Sequence, residues 1–264
     1  MSRKNIKNEK LHDVPVGIST KSYQNANCLI RCMPKLEYLL GDLRKMGMSP
    51  RFYIEDFDYL DIQFHEKNVN KIAIPMLCFC DIPLKQLKNH YVTYGSYGIA
   101  LSKEWGERNK IAPVHYLYEN SDVFEEFREL FNYANKNDDE NIFNYLFNRL
   151  IFTKPKAGFQ EKTKKLFTDE QEHRYIPNLF TCDELEQFYI NPSFLLADLN
   201  HSIANDEKYL LSFHTEDVKY IVVESNKEKN NVANVILDND KLSKQEKTEL
   251  VTKIISIEEI EDDF

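Results

Sequence analysis

Two neighbouring apolar runs most constrain what this chain can fold into. The first occupies residues 75–84 and is closed by Asp-Ile-Pro at 81–83, and the second occupies residues 94–105 and opens with an aromatic and glycine turn. Apolar runs of this length, bounded by turn residues, are typical of buried strands. The turn predicts one of two arrangements. Either its glycines let backbone approach a ligand on which its tyrosines stack, or the glycines only form a turn and the tyrosines only pack.

The rest of the chain alternates between helical and extended patterns, which predicts an α+β protein. Apolar spacing predicts helices at 36–46, 83–89, 183–189, 198–204 and from 243 onward. It predicts strands at 72–80, 96–102, 114–118, 174–176 and 218–224.

The segment 121–152 repeats phenylalanine at helical spacing around a polar break, which predicts two helices joined by a loop. We expect its aromatic face to fill a local core or to bind a partner. The lysine-rich residues 154–165 predict a mobile surface loop. Residues 1–17 are polar and predict a flexible arm, which leaves residues 18–264 as a single domain with a helical insertion at 121–152.

Charge and hydropathy exclude several classes of function. The formal charge of -9 argues against nonspecific binding of DNA or RNA, because affinity for phosphate backbones depends on lysine and arginine. The sequence contains no secretory leader and no apolar run of about 18 residues, so we expect a cytoplasmic protein that makes no membrane contact. It also lacks the motifs of phosphate loops, zinc proteases and esterases.

The five cysteines fit reduced thiols better than a disulfide framework. Cys28, Cys32, Cys78 and Cys80 supply enough ligands for a metal ion, but their spacings depart from those of zinc knuckles. We therefore interpret them as small buried side chains and predict no metal site.

The apolar block at 75–105, together with Phe-Thr-Asp-Glu-Gln-Glu-His-Arg-Tyr-Ile-Pro at 167–177, resembles the bacterial abortive-infection (phage-resistance) family AbiGi. The resemblance spans most of residues 18–224. AbiGi members resemble, more loosely, ADP-ribosyltransferase-like proteins. This implies an α+β fold with an ADP-ribosyltransferase-like mixed or antiparallel sheet core.

The looser resemblance implies that NAD is a co-substrate and that Glu172 and Glu170 are catalytic. Transfer of ADP-ribose passes through an oxocarbenium-like state, which a fixed carboxylate stabilises. The resemblance gives this role to Glu172. Glu170 lies two residues away and would share its face in an extended segment, where it would contact the acceptor. The alternative is a structural ion pair of Glu172 with Arg174 or with a lysine of the preceding loop. Burial without a charged partner would favour catalysis, and pairing would favour architecture.

The same resemblance implies the residues that bind NAD. Arg31 would hold the adenosine half, although a surface arginine is an equal alternative. Tyr94 and Tyr97 would bracket nicotinamide, and Ser102 would position the ribose.

Two residues near the apolar block suggest proton transfer. Asp81 closes the Cys-Phe-Cys-Asp sequence, and His90 follows it by at least a helical turn. We expect both to face one pocket, with His90 as a proton carrier and Asp81 as its orienting partner. A surface or helix-capping histidine is the alternative. Lys103 would meet phosphate.

Two functions follow from the resemblance. The first is an anti-phage effector that transfers ADP-ribose from NAD to a protein or nucleic-acid acceptor and is restrained by a partner. The second is a noncatalytic antitoxin or adaptor that uses residues 121–152 to bind a partner toxin, because AbiGi members are described as antitoxins. Convergence of Glu172, Arg31 and the tyrosines on one open cleft would favour the enzyme.

Overall fold

The computed structural model describes residues 26–64, 67–160, 163–177, 189–190, 192 and 196–263. The predicted arm at 1–17 lies outside the described residues. So does the predicted helix at 183–189, except for Tyr189, which begins a short strand.

The described strands, in chain order, are β1 (Cys28–Met33), β2 (Gly47–Met48), β3 (Arg51–Asp56), β4 (Gln63–Phe64), β5 (Lys67–Asn68), β6 (Lys71–Cys80), β7 (Tyr97–Ser102), β8 (Ala112–Pro113), β9 (His115–Leu117), β10 (Thr153–Pro155), β11 (Ala157–Gln160), β12 (Thr163–Leu166), β13 (Glu172–Tyr175), β14 (Tyr189–Ile190), β15 (Leu211–Ser212), β16 (Val218–Val223) and β17 (Ile254–Ser256). The described helices are α1 (Leu36–Lys45), α2 (Lys88–Tyr94), α3 (Lys103–Arg108), α4 (Asp122–Lys136), α5 (Glu140–Leu150), α6 (Ala197–Asn205), α7 (Lys229–Leu237), α8 (Lys244–Val251) and α9 (Ile257–Asp263).

Nine of the described strands form one sheet, whose main path is β17-β16-β7-β1-β6-β13-β8. Strands β3 and β14 also pair with β6. All pairings in this sheet are antiparallel except that of β16 with β17. The predicted α+β class with a mixed or antiparallel sheet is therefore confirmed.

Strand β6 separates two apolar cores. Leu77 and Phe79 pack with α1, α3, α7 and α8 in the first core, whereas Ile72, Ile74 and Met76 pack with α4 and α5 in the second. Because successive side chains of a strand point to opposite faces, the two cores lie on opposite sides of β6. This explains why the run is apolar throughout rather than alternating.

The predicted helices at 121–152 are present as α4 and α5. Each begins at a capping side chain: Ser121 accepts the N–H of Phe124 at 3.3 Å, and Asp139 accepts that of Ile142 at 3.1 Å. Their phenylalanines fill the second core, where the ring centroids of Phe131 and Phe143 lie 5.2 Å apart. The aromatic face was predicted to fill a local core or to bind a partner, and in the structure it fills a local core.

Two local predictions are wrong. Residues 154–165 are not a loop, because β10, β11 and β12 occupy most of this segment and β10 pairs in parallel with β9. The predicted helix at 83–89 is a 3-10 turn at Leu84–Gln86 followed by α2, which continues to Tyr94. Tyr94 therefore lies at the end of a helix rather than in a turn. In the described part of the chain, no helix is both long and apolar enough to cross a membrane.

Candidate functional site

A cleft of about 1390 Å³ opens between β1, β3, β6, α1, α2 and the β10–β11 segment. Arg31, His90, Tyr94, Glu170 and Glu172 line it, so most of the predicted site residues do converge. Tyr97 and Ser102 do not line the cleft.

Glu172 lies at the start of β13 and is only 6% exposed. Its Oε1 accepts a hydrogen bond from Arg174 Nε at 2.7 Å, and its Oε2 lies 2.8 Å from Lys154 Nζ. Burial opposes ionisation of this carboxyl group, but the charges of Arg174 and Lys154 outweigh burial and lower its pKa to about 2. Glu172 is therefore a paired carboxylate.

Arg174 is fully buried and connects three parts of the chain. Besides Glu172, it donates to Glu55 Oε2 on β3 at 2.9 Å and to the carbonyl oxygen of Ile151, just after α5, at 2.8 Å. Burial opposes its charge, yet Glu55 and Glu172 raise its pKa further. The guanidinium thus holds β3, β13 and the end of α5 together.

Glu170 is also buried and paired. Its carboxylate accepts from the Tyr94 hydroxyl, and it lies 3.1 Å from Lys154 Nζ and 2.8 Å from Lys165 Nζ. Burial favours a higher pKa for this carboxyl group, but the charges of Lys154 and Lys165 outweigh burial and lower the pKa. Glu170 belongs to the 3-10 helix Phe167–Glu170 rather than to an extended segment, but it still shares Lys154 with Glu172.

Arg31 lines the cleft and forms an ion pair with Asp42. Its Nη1 donates to Asp42 Oδ2 of α1 at 2.6 Å, and both side chains are mostly buried. Burial raises the pKa of Asp42 to about 6, and Arg31 opposes that shift. Arg31 is therefore not the surface arginine of the alternative, but its charge is directed at α1.

Tyr94 and Tyr97 do not form a bracket. The Tyr94 ring packs 4.5 Å from the ring of His90, between centroids, and Lys165 Nζ lies 4.3 Å from its centre. Tyr97 begins β7, and its hydroxyl donates to Glu228 at 2.7 Å, outside the cleft. Gly95 separates them with φ of 106°, and a Cβ there would lie 2.1 Å from the carbonyl oxygen of Met33. Glycine is therefore required at position 95 by the close approach of the β1 backbone, not by a ligand.

Ser102 and Asp81 also have structural partners. The buried Ser102 hydroxyl caps α3 by accepting the N–H of Trp105 at 3.1 Å. Asp81 pairs with Lys103, so the predicted pairing of Asp81 with His90 is replaced. His90 lies instead beside Cys32 and Cys80.

The alternative expected for Glu172, an ion pair with Arg174 or with a lysine of the preceding segment, is present, and the lysine is Lys154. Glu55, Lys165 and Asp42 were not expected in this network. They come from strands and a helix far apart in the chain, and the tertiary fold alone brings them to the cleft. The one available signal was the lysine-rich character of residues 154–165.

Known proteins resemble this chain over most of its length. Residues 45–224 match a family model described as "Putative abortive phage resistance protein AbiGi, antitoxin". A Lactococcus lactis subsp. cremoris protein described as "Abortive phage resistance protein AbiGi" is 32% identical over 250 residues, and the match covers 83% of this chain and 100% of that relative. No solved structure matches the chain, so the ADP-ribosyltransferase-like architecture stays a prediction. The chain belongs to the AbiGi family of abortive phage resistance proteins.

Proposed function

We propose that this protein acts in anti-phage defence as a noncatalytic antitoxin, which binds and restrains a partner toxin. The observation that carries the proposal is the closed pairing of Glu172. Both of its oxygens contact Arg174 or Lys154, and the side chain is only 6% exposed. A carboxylate must be directed at the reacting sugar to stabilise an oxocarbenium-like state, and here it is directed at two cations of its own chain. The antitoxin description of the matching family supports the same function.

The outer face of α4 is the proposed binding surface. Val123, Leu130 and Tyr133 are 64%, 42% and 56% exposed, although their helix packs its phenylalanines into the core. With the exposed Glu126 they recur at intervals of three, four and three residues, and therefore form one stripe along the helix. We call these four residues the α4 stripe.

The chemistry of the α4 stripe indicates its partner. An apolar stripe crossed by an acidic side chain, on a chain of formal charge -9, fits a toxin surface that is apolar with basic residues at its rim. Apolar contacts would supply affinity, and the opposite charges would speed association and fix the orientation.

Co-expression tests the proposal. A toxin encoded beside this protein should arrest growth when expressed alone, and the wild-type antitoxin should restore growth. Leu130→Asp places a charge in the α4 stripe and should abolish rescue. The matched control is Leu237→Asp, because Leu237 of α7 is a similarly exposed leucine at 50% and lies outside the α4 stripe. Equal rescue by both variants would contradict the proposed surface.

The convergence of Arg31, Tyr94 and Glu172 on one cleft favours a second candidate function, an ADP-ribosyltransferase effector that uses NAD. The cleft is large enough for a dinucleotide. Binding would have to release Arg31 from Asp42 and Glu172 from Lys154. Calorimetric titration with NAD, without and then with the partner, tests this function. Absence of binding in both experiments would eliminate it.

A further inference from the structure

We propose that Cys32, Cys80 and His90 form a binding site for a thiophilic divalent cation, with Zn²⁺ as the best-fitting ion. Their ligand atoms, two sulfurs and an imidazole nitrogen, all lie within 4.8 Å of one another. Cys32 belongs to β1, Cys80 ends β6 and His90 lies on α2. The site is independent of the antitoxin proposal.

The separations are close to those that a tetrahedral zinc ion needs. Zinc–sulfur bonds of about 2.3 Å and zinc–nitrogen bonds of about 2.0 Å place two ligand sulfurs about 3.8 Å apart and a sulfur and a nitrogen about 3.6 Å apart. The observed limit of 4.8 Å therefore requires a contraction of about 1 Å at most. A donor set of two thiolates and one imidazole also selects zinc rather than magnesium or calcium, which prefer oxygen ligands.

The surroundings would hold the ligands on one side and leave the other side open. Cys80 is 1% exposed and packs with Ile30, Ile82 and Leu87. Cys32 and His90 are only partly buried, and all three ligands line the cleft. Three protein ligands with a fourth position open to a cleft are characteristic of zinc that binds water, a substrate or a partner group. Structural zinc sites, in contrast, have four protein ligands.

A buried hydroxyl beside the cluster supplies an independent observation. Tyr91 of α2 is 7% exposed, and its hydroxyl makes no hydrogen bond within the described residues. Tyr91 packs in the same apolar cluster as Cys80 and Cys32. A buried donor without a partner is costly, and a metal-bound thiolate is a strong acceptor of the kind that outer-shell residues contact. Metal binding would give this hydroxyl its acceptor.

The remaining described cysteines are not among the three residues whose ligand atoms come together. Cys28 packs in the same apolar cluster as Cys80, and Cys78 packs against the second core. Both share a strand with a proposed ligand, Cys28 with Cys32 on β1 and Cys78 with Cys80 on β6. They are therefore matched controls for substitution.

The test uses the full chain, reduced and freed of metal, and titrated with Zn²⁺ or Co²⁺ alone. We expect one Zn²⁺ per chain after dialysis, a raised melting temperature, and a Co²⁺ spectrum with thiolate charge-transfer and tetrahedral bands. Cys32→Ala and Cys80→Ala should each weaken binding by about 100-fold or more and reduce the charge-transfer band. His90→Asn should weaken binding and keep that band. Cys28→Ala and Cys78→Ala should bind as wild type.

Three results would overturn the proposal. The first is a metal content well below one per chain at saturating Zn²⁺. The second is equal binding by the ligand variants and the controls. The third is an unreduced chain whose mass spectrum shows a Cys32–Cys80 disulfide that Zn²⁺ does not prevent, since the pair would then be a redox couple. A circular dichroism spectrum of each variant separates lost binding from lost folding, and His90→Asn tests the site without altering a buried thiol.

Discussion

Replacing Glu172 with glutamine should destabilise the protein strongly, because the carboxylate holds two buried cations. The substitution preserves shape and removes one negative charge from contacts of 2.7 Å to Arg174 and 2.8 Å to Lys154. Removing one partner of a buried ion pair costs about 3–5 kcal/mol. Arg174 keeps Glu55 at 2.9 Å and Lys154 keeps Glu170 at 3.1 Å, so we expect a loss at the lower end, about 3 kcal/mol.

The lowered pKa of Glu172 gives a similar magnitude for its contribution to the free energy of unfolding. The change from the ordinary value of 4.5 to about 2 is worth about 3 kcal/mol, at 1.36 kcal/mol for each pKa unit. Because the pKa is lowered in the folded state, this stabilisation is complete above pH 4.5 and is lost as the pH falls through about 2. Wild type should therefore lose stability in this acidic window, and Glu172→Gln should lose less.

Denaturant and thermal unfolding at pH 7 measure the effect. A loss of about 3 kcal/mol corresponds to a melting temperature lower by about 6–12 °C for a chain of this size. The control is Glu249→Gln, which breaks an exposed pair with Lys253 and should cost at most about 0.5 kcal/mol. An unchanged melting temperature together with lost NAD turnover would refute the architectural role of Glu172 and favour the enzyme.

Three further predictions concern the fold and the cleft. Gly95→Ala should lower the free energy of unfolding by more than about 1 kcal/mol, since φ is 106° and the added Cβ meets the Met33 carbonyl; unchanged stability in a denaturant titration would contradict this account of the turn. Phe131→Ala should lower the free energy of unfolding by about 3–5 kcal/mol, because the ring is 1% exposed in the second core. Rescue of growth at low temperature should persist. A small change in unfolding together with lost rescue would instead identify Phe131 as a binding residue. If NAD binds, Tyr94→Ala should weaken it and Tyr97→Ala should not, as calorimetry can measure; the reverse order would place the nicotinamide outside this cleft.

The sequence predicted β6, β7 and β16 because each is a strong apolar run, but β1 and β3, which also border the cleft, were not predicted as strands. Strand β6 is buried almost throughout, so its signal in the sequence does not depend on which neighbours pack against it. The prediction of a loop at residues 154–165 was wrong for the opposite reason. Strand β10 depends on pairing with β9, which lies far away in the sequence, so no local pattern reveals it. Strands β11 and β12 pair with each other, but their lysine-rich sequence lacks the apolar alternation that predicts a hairpin.

The candidate site was predictable in its members and only partly in its pairing. Glu172, Glu170 and Arg31 were selected by resemblance, and they do line the cleft. The pairing of Glu172 with Arg174 or a preceding lysine was one of two interpretations of the sequence, and only the fold shows that it holds. The partners Lys165 and Asp42 lie on other elements, so the sequence could not reveal that Glu170 and Arg31 are also paired. Cys32 and Cys80 were considered as metal ligands and set aside because of their spacing. Their grouping with His90 was missed because the three residues come from two strands and a helix, without a motif spacing.

Growth rescue, followed by isolation of the complex, tests the central claim most directly. Cells that express the neighbouring toxin should recover when wild type or Leu237→Asp is co-expressed, and each protein should elute with the toxin as one complex. Val123→Asp, whose charge suits the first turn of α4, should fold normally and neither rescue growth nor bind. Growth arrest caused by this protein alone, with transfer of label from NAD, would contradict the antitoxin function.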